Sequence, residues 1–267
     1  MKNLIFLHIP KNGGTTLTSI LTRYFDESNT FNIKVLDSEN MNTIDFLSLH
    51  NAERKRIRLL TGHMNFGMDE FLEGTSDYIT FLRDPVERAV SFFYYSKNDP
   101  KNRLYNIIHK NNWTLYEFLK NVKEKDISNA QVRLISGIND NPELMLKKAV
   151  ENIEKHFSFI GFQEQFDESL IVLCNKYKWS LPYYKKRKVT LNRPLVEDID
   201  AQTINLIMQL NKEDILLYNH CREKFNSHLY SIKNLNIKLK WLRLINRVFG
   251  STKYKKLKMM LSKSYGK

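Results

Sequence analysis

The chain has 267 residues, 42% of them apolar and 12% aromatic, enough to bury a sizeable core in one large domain. Only two cysteines occur, Cys174 and Cys221, both within helical apolar spacing, so neither a disulfide framework nor a thiolate metal site is supported and a reducing compartment fits best. Of the 42 Lys and Arg, eleven lie from His228 onward with no acid among them, which leaves 31 basic against 29 acidic groups in the first 227 residues; the net charge of +13 therefore belongs to the tail and argues against nucleic-acid binding by the body.

In chain order, strands are expected at Leu4 to His8, Lys34 to Leu36, Arg58 to Gly62, Tyr78 to Leu82 and Phe157 to Phe162. Helices are expected at Thr15 to Tyr24, Val86 to Tyr95, Leu115 to Lys123, Asn129 to Ile135, Glu143 to His156, Glu168 to Tyr177 and Ala201 to Phe225. Short apolar runs feeding helices predict an α/β fold, a P-loop-like parallel sheet flanked by helices, with a basic helical C-terminal tail. The division is a domain over residues 1–227 and a tail over 228–267. Met1 to Ile9 run directly into the first strand, which leaves no room for a signal sequence, and no run reaches transmembrane length, so a cytoplasmic location is expected.

The first strand ends in His8-Ile9-Pro10-Lys11-Asn12-Gly13-Gly14-Thr15-Thr16. Gly13 and Gly14 permit a backbone that turns amides inward, Thr15 or Thr16 can cap the following helix, and the helix N-terminus beside Lys11 favours an anion. In nucleoside triphosphate P-loops the Lys follows the last Gly and a Ser or Thr then holds magnesium; here Lys11 precedes the glycines. That order favours a phosphosulfate over a nucleotide-dependent kinase, which stays as the alternative, and calls for no metal; a plain Gly-Gly turn between strand and helix is the other reading, although it would not ask for Pro10-Lys11 before it.

The second segment, Leu82-Arg83-Asp84-Pro85-Val86-Glu87-Arg88, again joins a strand to a helix. Asp84 is the expected N-cap, Pro85 the first helical residue and Glu87 the partner in a capping box. Arg83 can hold a phosphate bidentately or pair with a carboxylate, and Ser91 lies two turns beyond the cap, where its hydroxyl can meet the same group. Phe92 to Tyr95 either pack in the core or stack on a ring.

Together these two segments resemble, in order and spacing, the donor-binding signatures of sulfotransferases that use 3′-phosphoadenosine 5′-phosphosulfate (PAPS), in the carbohydrate branch that contains heparan sulfate 2-O-sulfotransferases and bacterial relatives. The resemblance implies that Lys11, Asn12, Gly13, Gly14, Thr15 and Thr16 hold the 5′-phosphosulfate, with Asn12 in place of the usual Thr. It also implies that Arg83 and Ser91 hold the 3′-phosphate. Fainter likeness runs through Gly62-His63, Gly161-Phe162, Phe166-Asp167-Glu168, Arg193-Pro194 and Asp214-Ile215. His63 follows a strand at the end where open α/β sheets bind ligands, and imidazole titrates in the range a general base needs. The family carries His-Gly-His here and His63 aligns with its second His, Thr61 with the first; a structural His capping the strand is the other reading. His8, inside the strand, is the weaker base.

Arg187 and Lys188, in the basic run Lys185 to Lys188, occupy the place where the family covers the adenosine end of the donor, although a solvated charge run fits as well. Asn129, Gln131 and Arg133 recur at spacing two in a helical segment and so cannot share a face; Arg133 meets either an anionic acceptor or an acid. In the tail, Leu229, Ile232, Leu235, Leu239, Leu242, Ile245 and Phe249 follow helical spacing, with Lys233, Lys240, Arg243 and Arg247 on other faces. Such a helix either lies on an anionic membrane surface, which here is the inner one, or packs on the domain. The expected acceptor is a glycan or glycolipid.

Overall fold

The computed structural model describes residues 2–34, 42–123, 125–139, 141–185 and 193–249. Its first half runs β1 (Asn3–Leu7), α1 (Gly14–Leu21), β2 (Thr30–Ile33), α2 (Thr43–Leu47), α3 (Asn51–Arg54), β3 (Leu59–Gly62), β4 (Ser76–Leu82), α4 (Pro85–Asn98), α5 (Tyr105–Lys110) and α6 (Leu115–Asn121). The second half runs α7 (Ala130–Ser136), α8 (Pro142–His156), β5 (Phe157–Phe162), α9 (Phe166–Tyr177), α10 (Ala201–Leu210), α11 (Lys212–Tyr230) and α12 (Leu235–Phe249).

All five strands are parallel, in the order β2-β3-β1-β4-β5. β1 is buried at every residue and lies at the centre, as a continuous apolar run between two strands should. The chain leaves β1 toward β2 on one side and leaves β4 toward β5 on the other. The loops after these adjacent strands therefore diverge, and a crevice opens at their carboxyl ends. The main core surrounds the sheet; a second cluster built on Val90, Phe93, Ile108, Phe118 and Ile207 joins α4, α5, α6 and α10.

Several elements depart from the sequence expectation. The second strand forms at Thr30–Ile33, ahead of the expected Lys34 to Leu36, and pairs with β3 from Thr30 against Leu59; residues 35 and 36 lie outside the described residues. The single helix expected over Ala201 to Phe225 is two, because Asn211 is fully buried and its side chain is committed elsewhere. Its Oδ1 accepts from the backbone N of Asn129 (3.1 Å) and from Arg88 Nη2 (3.3 Å), while its Nδ2 donates to the Ile207 carbonyl (3.0 Å). The tail does not begin a new helix at residue 228: α11 continues to Tyr230, and Asn234, at φ 57, turns the chain into α12.

α12 packs on α9 through its buried Leu239 and Leu242. Arg243 Nε lies 3.5 Å from Asp167 Oδ2 and Arg243 Nη2 lies 3.6 Å from Glu168 Oε1, both acids in the first turn of α9. Asn246 Oδ1 accepts from the backbone N of Tyr184 at 2.8 Å. Packing on the domain, one of the two expected roles of the tail helix, is thus present. Among the described residues no helix is long and apolar enough to cross a membrane.

Candidate functional site

The loop after β1 turns at Lys11, whose φ is 71, and at Gly13, whose φ is 79. Gly13 is the N-cap of α1 and no side chain caps the helix. Thr15 and Thr16 lie inside the first turn, so the cap expected of them falls to a glycine backbone. The backbone N of Thr16 and of Leu17 donate to the Gly13 carbonyl at 3.0 and 3.3 Å, while the Gly14 and Thr15 amides ahead of them lie at the positive end of the helix dipole. Gly14 is required by close approach: a Cβ there would sit 1.9 Å from Cδ2 of the His8 ring.

Asn12 is buried and serves the scaffold. Its Nδ2 donates to the Phe81 carbonyl and to Gln131 Oε1, both at 2.8 Å. Gln131 also accepts from the backbone N of Arg83 (3.0 Å) and donates to the Arg83 carbonyl (2.9 Å). One buried amide side chain on α7 therefore braces the loop after β1 and the residue after β4 together. Gln131 is held in turn from α11: its backbone N and that of Val132 donate to Asp214 carboxylate oxygens at 3.1 and 2.8 Å. The fully buried Arg88 stands 3.9 Å from the same carboxylate and donates to the Asp126 carbonyl at 2.7 Å. Burial raises the pKa of Asp214 while Arg88 and the two amides oppose that shift.

Asp84 caps α4 as expected, accepting from the backbone N of Val86 and of Glu87 at 3.0 Å each. The expected capping box does not close through Glu87. Glu164, from the loop after β5, accepts from the Asp84 backbone N at 2.8 Å, and burial raises its pKa. Glu87 instead bridges two cations: its Oε2 lies 2.9 Å from Arg83 Nη2 and 2.8 Å from Arg193 Nη1. Arg83 also donates from Nη1 to the Lys11 carbonyl at 3.1 Å, so the two signature segments touch. Burial, followed by the Arg193 charge, lowers the pKa of Arg83. Its Nε is buried with no hydrogen-bond partner among the described residues. An orphaned donor beside a second arginine is the arrangement a phosphate dianion would satisfy.

Ser91 is buried on α4, and Phe92 and Phe93 face the second core cluster. Tyr95 is half-buried, and Lys11 Nζ stands 3.8 Å from its ring centroid. His63 follows Gly62, where φ is 130 and a Cβ would lie 2.0 Å from the Ile33 carbonyl oxygen; the His63 backbone N donates to that carbonyl at 3.1 Å. The His63 ring stacks on His8 with centroids 4.3 Å apart. Strands β1 and β3 thereby deliver two imidazoles to the loop. Thr61, in place of a further histidine, is fully buried and shares a 3.2 Å hydroxyl contact with Thr18 on α1.

Lys11, His63 and Arg83 thus follow the carboxyl ends of the three neighbouring strands β1, β3 and β4. Arg187 and Lys188 lie outside the described residues. Arg133 pairs with Asp126 at 3.1 Å. Sequence reasoning missed the roles of Gln131, Glu87 and Glu164. For Arg193 the available signal was the Arg-Pro pair after a basic run.

The chain is 20% identical over 249 residues to galactose-3-O-sulfotransferase 2 of Mus musculus, covering 86% of this chain; it spans 63% of that curated relative's length. Among solved structures, mouse sulfotransferase SULT7A1 complexed with PAP shares 14% identity at a TM-score of 0.40, over 78% of this chain and 63% of that one. Retinol dehydratase in complex with androsterone and inactive cofactor PAP shares 15% at a TM-score of 0.28, over 81% of each. The profile of the sulfotransferase family matches residues 1–220, most of the chain including every element of the sheet, and the protein belongs to that family.

Proposed function

We propose that the protein transfers a sulfuryl group from PAPS to a hydroxyl of a carbohydrate, on a glycan or glycolipid. The observation that carries this reading is the direct contact between the two signature segments, Arg83 Nη1 on the Lys11 carbonyl at 3.1 Å, at the crevice where β1 and β4 diverge. Family membership supports the reaction class, and likeness to a galactose 3-O-sulfotransferase supports a sugar hydroxyl as acceptor.

The residues present fit the donor. The amides of α1 at Gly14 and Thr15, with Gly13, the Thr16 hydroxyl and Lys11, would hold the 5′-phosphosulfate, and Asn12 would hold the loop's shape through Gln131. Arg83, with its orphaned Nε, would hold the 3′-phosphate with Ser91, and Arg193 stands close enough to share it. Glu87, which bridges Arg83 and Arg193, would compete with that phosphate for the two guanidinium groups. Bound there, PAPS supplies an activated sulfuryl group for in-line displacement, chemistry that rests on positioning and charge stabilisation. Lys11 leaves the Tyr95 face to neutralise charge developing on the phosphate side. His63 takes the acceptor hydroxyl proton during attack, with His8 stacked against it to set its ring plane.

Calorimetric titration with 3′-phosphoadenosine 5′-phosphate (PAP), without magnesium and with AMP and ATP as controls, tests the donor site. Binding that requires the 3′-phosphate and weakens in Lys11→Ala and Arg83→Ala supports the reading; a preference for ATP with magnesium would return the kinase alternative. His63→Ala should abolish transfer while leaving PAP affinity within about twofold, since a general base acts on the acceptor proton.

A further inference from the structure

α12 carries two apolar faces. At about 100° per residue, the buried Leu239 and Leu242 lie on one side of the helix, and Ile237, Trp241 and Leu244 lie on the other within about 60° of arc. These three are 66%, 56% and 49% exposed, and Val248, one turn on, is exposed on the same line. Tyr230, at the end of α11, is 84% exposed, and a shallow groove that includes Tyr230 and Ile237 runs between the two helices. The sequence pattern pointed to the inner face, whereas Ile237, Trp241 and Leu244 form an exposed stripe on the outer one.

The flanks of this stripe are cationic. Lys240 and Arg247 border it on one side and Lys238 on the other, while Arg243 is held back by Asp167 and Glu168. From His228 to Lys267 the sequence has eleven Lys or Arg and no Asp or Glu. A second copy of the same face would bring like charges together around the apolar contact, which opposes self-docking. An anionic lipid surface satisfies both features: apolar side chains enter the acyl boundary, the Trp241 and Tyr230 rings suit the interface, and the cations meet headgroups.

We propose that the outer face of α12 docks the protein on an anionic phospholipid bilayer. The inner face fixes the helix to the catalytic domain. Arg243 reaches Asp167, next to Phe166, whose ring lies 3.6 Å from the position of a Cβ on Gly13. The helix that meets the lipid is thereby tied to the element that flanks the donor loop. The docking itself does not depend on the sulfuryl-transfer reading.

The test is co-sedimentation of the full chain with vesicles of phosphatidylcholine alone and of phosphatidylcholine mixed with phosphatidylglycerol. Wild type should bind the mixed vesicles at least about tenfold better, with binding that weakens as salt rises. Trp241→Ser with Leu244→Ser should reduce that binding about tenfold at unchanged thermal stability, because both side chains are exposed. As an independent reading, emission quenching by brominated lipid should be larger in wild type than in Trp241→Phe. Failure to bind mixed vesicles, binding that the stripe substitutions leave unchanged, or a dimer that those substitutions dissolve would each overturn the proposal.

Discussion

Replacing Gln131 by Leu keeps the volume on α7 and removes the brace between the two signature segments. The backbone N–H and carbonyl of Arg83 lose their partners at 3.0 and 2.9 Å, while Asn12 keeps its bond to the Phe81 carbonyl. Each buried polar group left without a partner costs about 1–3 kcal/mol, so the two Arg83 groups together predict a loss of about 2–6 kcal/mol. The bond between Gln131 and Asp214 runs through the backbone and survives, which confines the damage to the site. Urea denaturation measures the stability term, and calorimetry with PAP measures the functional one. PAP affinity should fall about tenfold or more, equivalent to ~1.4 kcal/mol. Adding Asn12→Ala should cost less in the Gln131→Leu background than in wild type, because the pair is already broken. A stability change below about 0.5 kcal/mol with unchanged PAP affinity would refute the brace.

Three further outcomes are expected. Gly14→Ala forces the His8 ring away and should cost about 1–3 kcal/mol by overpacking; His8→Ala in the same chain should recover most of the melting temperature, and no recovery would place the clash elsewhere. Arg88→Met strands Asp214 in the core, and the loss of one partner of a buried ion pair should lower unfolding stability by about 3–5 kcal/mol in urea titration. Burial raises the Cys174 thiol to about 11 and the Cys221 thiol to about 12, so at pH 8 only roughly one Cys174 in a thousand is thiolate; iodoacetamide should label neither residue in the native protein and both in urea.

The features legible in the sequence are those that local spacing encodes. The run into β1, the glycine turn beside Lys11 and the Asp84-Pro85 helix start each occupy a few consecutive residues, and all three appear in the structure. What escaped are partnerships between distant residues. Glu87 stands in the right place for a capping box, but Glu164 arrives from the far side of β5 and frees it to bridge Arg83 and Arg193. Nothing in residues 201–225 marks a break until Asn211 is seen supporting Asn129 and Arg88. Gln131 sits in a short helix buried at every residue but Arg133, and its three side-chain bonds reach residues at least 48 positions away. In α12 the stripe through Leu239 and Leu242 satisfies helical spacing by itself, so the second stripe at Ile237, Trp241 and Leu244 shows only as an exposed face.

The left-handed backbone at Lys11 carries a consequence for evolution and engineering. A residue with a Cβ pays about 1–2 kcal/mol there, which glycine would not. Lys11→Gly is therefore a stabilising substitution by backbone criteria, and under the proposed function it deletes the charge that the donor loop exists to present. A screen for heat resistance alone would accumulate this change and discard activity. A screen that also demands turnover would hold Lys11 in place and find its stability elsewhere, which makes position 11 a direct readout of which pressure was applied.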